Sequence, residues 1–433
     1  MLSPIALAYA APFAVVMLVY IGMRRRSESA SVSLLEESVE AGLTEPASLH
    51  PLIDETRCLG CGACARACPE GTVLGVIAGK AHLVEAANCI GHGACKAACP
   101  FDAITLVFGT EKRGVDIPEV GPDFQTNVPG LFIAGELGGM GLVRNAIMQG
   151  QQAVDAITAE AKQRRHPQRD LLIVGAGPAG MAAGLAARKH GLRFAVVEQE
   201  SFGGTVAHFP RGKIVMTQPV ELPLAGRMSF REVSKEALLE FWYAILQRFP
   251  LPISYGERVD NIAAVPGGFE IRTTHGVHGA ATVLLAIGRR GTPRKLGVPG
   301  EDQSKVVYRL VDPSQYRDKR VLVVGGGDSA LEAAAEIASE PGTTVTMSYR
   351  GDAFGRAKPK NRKRVDALVA SGAIDLQLGS KVLEVGVDDV TISAKGQRMV
   401  IGNDAIVVCA GGLLPTQFLR DIGINVETKY GTA

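Results

Sequence analysis

Apolar residues fall into two patterns along this chain. One is a single long run: residues 5–22 (IALAYAAPFAVVMLVYIG) carry no charge, and Arg24, Arg25 and Arg26 follow at once. With the small residues ahead of it the run reaches about 20 residues, the length that crosses a bilayer core of roughly 30 Å. Positive charge follows the run and none precedes it, which argues against a cleaved signal and sets the N-terminus outside. Pro12 kinks such a span without forbidding it. Residues 1–26 are therefore expected as a single-pass anchor in the inner (cytoplasmic) membrane, with everything downstream on the cytoplasmic side. Residues 27–50 are small, polar and acidic, and read as a linker with at most one short helix.

The other pattern is a short apolar run that ends in glycines. Residues 170–175 (DLLIVG) read as a buried strand, and Gly175, Gly177 and Gly180 (GAGPAG) then open a helical stretch to about Lys189. A second strand, Phe194–Val197, ends in Glu198. Strand, glycine turn, helix and acid together are the context of a dinucleotide-binding unit. The glycines let the backbone approach a pyrophosphate, the helix N-terminus receives the phosphates, and the acid takes the ribose hydroxyls. The pattern recurs at Arg320–Val324, with Gly325, Gly327 and Ala330 (GGGDSA) and a helix to about Ala338. Its next strand, Thr343–Ser348, ends not in an acid but in Tyr349 and Arg350. An arginine there suits a 2′-phosphate, so with Arg350, Arg356 and Lys358 at hand NADPH is preferred to NADH.

Composition narrows the reading. The 433 residues suffice for several cores, and 46% hydrophobic content with a net charge of +2 excludes extensive disorder and a dedicated nucleic-acid binder. The run Arg350–Arg364 holds seven Lys/Arg and one Asp; it reads as a solvated face, with a docking patch for an acidic partner or anionic lipid as the other reading.

The cysteines carry more. Seven of the eight lie between Cys58 and Cys99. Cys58, Cys61, Cys64 and Cys68, with Pro69 next, have the spacing of a bacterial iron–sulfur ligand run, and Gly60 and Gly62 let the backbone wrap a cube. A second run, Cys89, Cys95 and Cys99 before Pro100, has His92 where the remaining cysteine would stand. In two-cluster ferredoxins the fourth cysteine of a run serves the other cluster. Cys58, Cys61, Cys64 and Cys99 are thus expected on one 4Fe–4S cluster, and Cys68, Cys89 and Cys95 on the second. Three readings of His92 stand: an imidazole ligand to a 4Fe–4S cluster, a site that holds only 3Fe–4S, or a bystander to a degraded site. A neutral ligand in place of a thiolate would raise the potential. Cys409, in the apolar run AIVVCAG, reads as a core residue.

Together with LLAIGRRGTPRKLGVPGE (284–301), VVGGGDSALEAA from Val323, IVVCAGGLLPTQFL (406–419) and TNVPGLFIAGE (126–136), the chain resembles the thioredoxin-reductase-like pyridine-nucleotide flavoproteins. The resemblance implies FAD on the first unit, NADPH on the second, and hydride transfer between them. It also implies flavin contacts at Gly135, Glu136, Arg144 and Asn145, and at Gly203, Gly204 and Thr205. Two departures matter. The segment TNVPGLFIAGE, which closes over the flavin late in family chains, here precedes the first glycine turn, so the order reads as circularly permuted. The family's Cys-x-x-Cys is missing, which disfavours disulfide reduction by the family's route.

The expected fold is α/β. It comprises two Rossmann-like dinucleotide-binding domains (109–292 with 410–433 for FAD, 293–409 for NADPH), a small α+β two-cluster ferredoxin domain (51–108) and one N-terminal transmembrane helix. The expected activity is electron transfer between NADP(H), FAD and the iron–sulfur clusters, to or from a membrane or protein redox partner, in either direction. No catalytic residue stands out. Two other readings stay open: a cofactor-binding relay subunit of a larger membrane complex, and a disulfide reductase that borrows an external thiol. A homodimer is compatible with all three.

Overall fold

A computed structural model describes residues 4–431, apart from 41–43, 47–48, 90, 92, 112–113, 140, 161–165, 218, 231, 290, 356 and 395. The expectations for His92 and Arg356 therefore lie outside the described residues. The chain divides into two units, Met1–Val115 with Lys429–Ala433, and Asp116–Thr428.

In the first unit, helix α1 runs unbroken from Pro4 to Glu40. The linker expected over 27–50 is thus helical in its first part, where neither Gly nor Pro interrupts it. It also packs: Ser31 and Ser38 are buried, and Glu28 accepts the Ala78 N–H at 2.7 Å. Gly75 lies so close beneath it that a Cβ there would meet Ser31 Oγ at 2.5 Å.

The membrane anchor is corrected here. Among the described residues no helix is long and apolar enough to cross a membrane. From Arg24 onward α1 is charged and polar, and there it packs through the buried Ser31 and Ser38. The single-pass inner-membrane placement falls with it.

Four short strands, β1 (His50–Ile53), β2 (Leu74–Ile77), β3 (Lys80–Leu83) and β4 (Ile104–Val107), form two antiparallel pairs, β1–β4 and β2–β3. Two short helices, α2 (Ala63–Ala67) and α3 (Ala94–Ala97), each carry one of the inner cysteines.

The second unit holds two parallel five-stranded sheets. The strands of the first are β5 (Leu131–Ile133), β6 (Leu171–Val174), β7 (Phe194–Glu198), β8 (Ile253–Tyr255) and β9 (Thr282–Leu285), in the order β8–β7–β6–β9–β5. Leu171–Val174 and Thr282–Leu285 are buried at every position, as central strands covered on both faces must be. Helices α4 (Val143–Glu160) and α5 (Pro178–Lys189) cross over this sheet. They cross so closely that a Cβ on Gly150 would meet the Ala179 carbonyl oxygen at 2.1 Å. The edge strand β5 comes from residues ahead of the first glycine turn.

The second sheet consists of β10 (Val306–Val307), β11 (Arg320–Val324), β12 (Thr344–Tyr349), β13 (Ile374–Leu378) and β14 (Ala405–Val408), in the order β10–β14–β11–β12–β13. Its lower end is tied by Asp404, which accepts from Arg320 N (2.7 Å), Nε (3.0 Å) and Nη2 (2.6 Å). Those Arg320 bonds hold the Asp404 carboxyl down from 3.8 to about 2. A depressed pKa adds stability above the unfolded value and loses it as pH falls through the folded one. Asp404→Asn is therefore expected to lower the melting temperature near pH 7 by no more than about 2–3 °C, because the pair is half-exposed. The difference should shrink between pH 4 and about 2, as melting curves across that range would show.

Candidate functional site

The turn from β6 into α5 is built for close approach. Gly175 has φ +106°, and a Cβ there would meet the Ala286 carbonyl oxygen at 2.5 Å. On Gly180 a Cβ would lie 1.8 Å from the Gly175 oxygen, whereas Gly177 has only Gly204 Cα near it, at 3.7 Å. Gly203 (φ +99°) and Gly204 (φ +54°) shape the turn that presents Thr205. Glu198, buried at the end of β7, accepts the Ala176 N–H at 2.7 Å and the Glu200 N–H at 2.9 Å. Its remaining lone pairs are free to take a diol.

Next to this turn stands Gly135 (φ +87°), whose N–H donates to Gln149 Oε1 at 2.8 Å. Burial pushes the Glu136 carboxyl up, against the pull of Arg289. These groups face one cavity of about 1050 Å³, lined by Gly135, Glu136, Gly175, Gly177, Glu198 and Thr205 among others. Arg144 instead lines a second cavity of about 400 Å³ with Gln151, Gln152 and Arg227, and Asn145 lines neither.

Four residues of the large cavity carry no sequence signal. Glu257 is buried, and its N–H donates to the Glu198 carbonyl at 2.9 Å. Burial pushes its carboxyl up, but hydrogen bonds from Thr273 Oγ1 and His278 Nε2, both 2.6 Å, outweigh this and leave it below the usual range. Arg309 reaches Glu200 at 3.1 Å and His208 Nδ1 at 2.5 Å, while His208 Nε2 lies 2.5 Å from Glu200. In this arrangement Nδ1 accepts and Nε2 donates. The Tyr308 hydroxyl donates to Glu301. Tyr308 and Arg309 follow directly on β10, so the cavity extends from the first glycine turn to the edge of the second sheet.

At the second turn, Gly325 has φ +144°, and a Cβ there would meet the Cys409 carbonyl at 2.4 Å. A Cβ on Gly327 would meet nothing within 4 Å, and Ala330 is buried in the helix α6 (Asp328–Ile337) that follows. Asp328 accepts from Lys358 N at 2.8 Å and Asn361 Nδ2 at 2.7 Å. Those bonds draw the basic run against the turn, with Arg350 exposed at the end of β12.

In the first unit, Gly60, Gly62 and Gly93 all have left-handed φ (+64°, +70°, +74°), which lets the chain curl around its cysteines. Cys58, Cys64, Cys89 and Cys95 are buried, Cys68 and Cys99 half-buried, and Cys61 exposed. Burial pushes the thiols of Cys64, Cys68, Cys89 and Cys95 up, the last to about 11. Cys58 and Cys61 add to the shift at Cys64, and Cys68 adds to those at Cys89 and Cys95. Cys64 adds to the shift at Cys95 as well, so thiols of both runs meet there. Among the described residues no three such side chains converge as around a single metal ion. A buried set of thiols with raised pKa values, on a chain curled by glycines, fits ligands whose protons a cluster displaces.

Comparison with known proteins decides the family. The family profile described as pyridine nucleotide-disulphide oxidoreductase matches residues 172–432. This chain belongs to that family. A 4Fe-4S dicluster domain profile matches residues 50–100. Bacilliredoxin reductase Bdr of Bacillus subtilis is 26% identical over 271 residues, covering 61% of this chain and 83% of that protein. A ferredoxin–NADP reductase of Ignicoccus hospitalis is 29% identical over 275 residues, covering 60% and 83%. The structure of bacillithiol disulfide reductase Bdr from Bacillus cereus superposes with a TM-score of 0.52 at 25% identity, over 60% of this chain and 82% of that one. The chain is thus a reductase-like flavoprotein oxidoreductase of this family that also carries an iron–sulfur domain. The family match begins at Leu172, yet β5, ahead of it, completes the same sheet, and α4 packs on α5.

Proposed function

We propose that this family member moves electrons between NADP(H) and an external redox protein, with FAD on the first glycine turn and the two clusters as a one-electron relay. The observation that carries the reading is the shared cavity. The first turn, Glu198, Tyr308 and Arg309 beside the second sheet, and Pro415, Gln417 and Phe418 all face one space, in a chain that also holds a dicluster domain. In this reading residues 109–292 with 410–433 hold FAD and 293–409 hold NADPH. The segment 126–136 is a flavin-closing piece moved to the front by circular permutation, which its place at the sheet edge supports.

A flavin there supplies the change between two-electron and one-electron chemistry. The chain's own residues do the rest. Gly175 and Gly180 bring backbone N–H groups to a pyrophosphate, and Glu198 takes the ribose hydroxyls. Gly135, Gly203, Gly204 and Thr205 border the ring system. Cys58, Cys61, Cys64 and Cys99 ligate one cluster; Cys68, Cys89 and Cys95, with His92 as fourth ligand, hold the other. The relatives' names point to two chemistries, ferredoxin reduction and disulfide reduction. Cys409 is the sole cysteine after Cys99, so the one-electron reading is favoured.

Anaerobic titration with NADPH tests this. The flavin absorbance is expected to bleach first, followed by the appearance of reduced-cluster signals in low-temperature EPR. Clusters that stay oxidised beside a fully reduced flavin would sink the proposal.

A further inference from the structure

Arg24, Arg25 and Arg26 are exposed on α1, and the packing of that helix fixes where they stand. Ser31 lies over Gly75, and Glu28 accepts the N–H of Ala78, in the turn between β2 and β3. From Ser31 to Glu28 the helix therefore advances along β2 to its end. The next turn of α1, residues 24–26, reaches past the tip of the hairpin.

The first cysteine loop meets the hairpin at the same tip. A Cβ on Gly60 would fall 2.1 Å from the Gly79 carbonyl oxygen. Lys80 Nζ donates to the carbonyls of Glu55 and Cys58, both at 2.7 Å, and pins the loop in place. Leu59 is 64% exposed, and Cys61 is the one exposed cysteine of the eight. Arg57 is exposed just ahead of the loop, and Arg66 Nη1 donates to the Cys61 carbonyl at 3.2 Å. The carboxylates nearby are largely engaged. Asp54 accepts from the Thr56 N–H (2.8 Å) and hydroxyl (2.6 Å) and pairs with Arg57 at 3.5 Å, while Glu28 is held by Ala78. Glu55 is exposed. Positive charge thus surrounds an apolar tip at the exposed thiol.

We infer that the loop 59–61, with Arg24, Arg25, Arg57 and Arg66 around it, is where the external redox protein docks, and that this partner presents an acidic face. The inference rests on the relay reading above, which gives Cys61 to the first cluster. One-electron exchange needs a brief, oriented contact and not a tight complex. An apolar centre within a charged rim supplies it: the rim steers approach and the centre excludes water. In the NADPH-oxidising direction each encounter passes one electron to the partner. Two encounters discharge the pair that one NADPH supplies, one proton is released, and NADP+ remains.

The test uses the full-length protein, with flavodoxin as an acidic one-electron carrier and cytochrome c as a basic one. Calorimetry reads the binding of each, and steady-state assays read kcat and KM for flavodoxin, at low salt and at about 0.5 M salt, where surface charges are screened. In the double variant Arg57→Glu with Arg66→Glu, flavodoxin affinity and kcat/KM should fall about tenfold or more at low salt and approach wild-type values at high salt. Arg24→Glu with Arg25→Glu should do the same, and it carries the test if the first pair does not assemble its clusters. Bleaching of the flavin by NADPH stays unchanged in both. Flavodoxin binding that is absent in the wild type, or unchanged in both variants, overturns the inference, as does tighter wild-type binding of cytochrome c. Self-association of the wild type that either variant abolishes gives the patch to a second copy of the chain and overturns it too. Clusters that NADPH leaves oxidised overturn the relay reading and the inference together, whereas reduced clusters with no effect of charge reversal overturn the inference alone.

Discussion

Purified Gly180→Ala protein is expected to carry no flavin and to unfold well before the wild type. An added Cβ would sit 1.8 Å from the Gly175 carbonyl oxygen and 2.9 Å from its carbon. Both atoms are backbone, so no side chain can rotate away. Helix α5 would have to retreat from the sheet, yet its inner residues Ala182, Ala183, Leu185 and Ala186 are almost wholly buried. Overpacking of this kind costs about 3 kcal/mol, the upper end of the usual range, because the colliding group is fixed. The same retreat would move Ala176 off Glu198 and open the turn. Gly177→Ala is the contrasting variant, since its new Cβ would meet only Gly204 Cα at 3.7 Å. It should keep near-normal stability while retaining flavin poorly, because its cost falls on the ligand's approach. Flavin absorbance per polypeptide and urea midpoints read the two apart. A flavin-replete Gly180→Ala would contradict the assignment of this turn.

The second large effect belongs to Cys64→Ser. Cys64 is buried within the cysteine unit, packed with Cys58, Cys89, Cys95 and Leu74. A serine hydroxyl is a poor substitute for a thiolate toward iron. Throughput from NADPH to a one-electron protein acceptor should fall by at least the ~100-fold seen when even an outer partner of a metal ligand is lost. Bleaching of the flavin by NADPH should persist, since the cysteines and the large cavity belong to different units. Iron content, EPR of the reduced protein and acceptor assays together measure this. Wild-type throughput in a variant lacking that cluster would remove the relay from the scheme.

Both variants act on features written locally in the chain. Each glycine turn and each cysteine run is contained within a few tens of residues, so spacing alone identifies it. What spacing cannot show is the pairing of distant residues. Glu257 and His278, or His208 and Arg309, meet only because the fold brings separate strands and loops to one cavity, and none belongs to a motif. Gly150 looks like an ordinary helical residue until α5 is seen against it. Arg144 follows the family's pattern in sequence, yet its side chain lines the smaller cavity. The N-terminal region shows the opposite fault. Its composition separates an apolar span from a polar tether, whereas α1 is continuous and its Ser31 faces Gly75. Burial of Ser31 and Ser38 is a tertiary fact that polarity along the chain does not carry.

The position of β5 bears on how the protein is made. This edge strand pairs with β9 about 150 residues further along, so it waits unpaired for about half of the unit's synthesis. The last cysteine of the first unit, Cys99, has by then long emerged. Domains fold largely as they leave the ribosome, from the N-terminal side onward. Iron–sulfur assembly on the nascent chain can therefore finish before the flavin sheet closes, and the two cofactors need not compete for the same folding step.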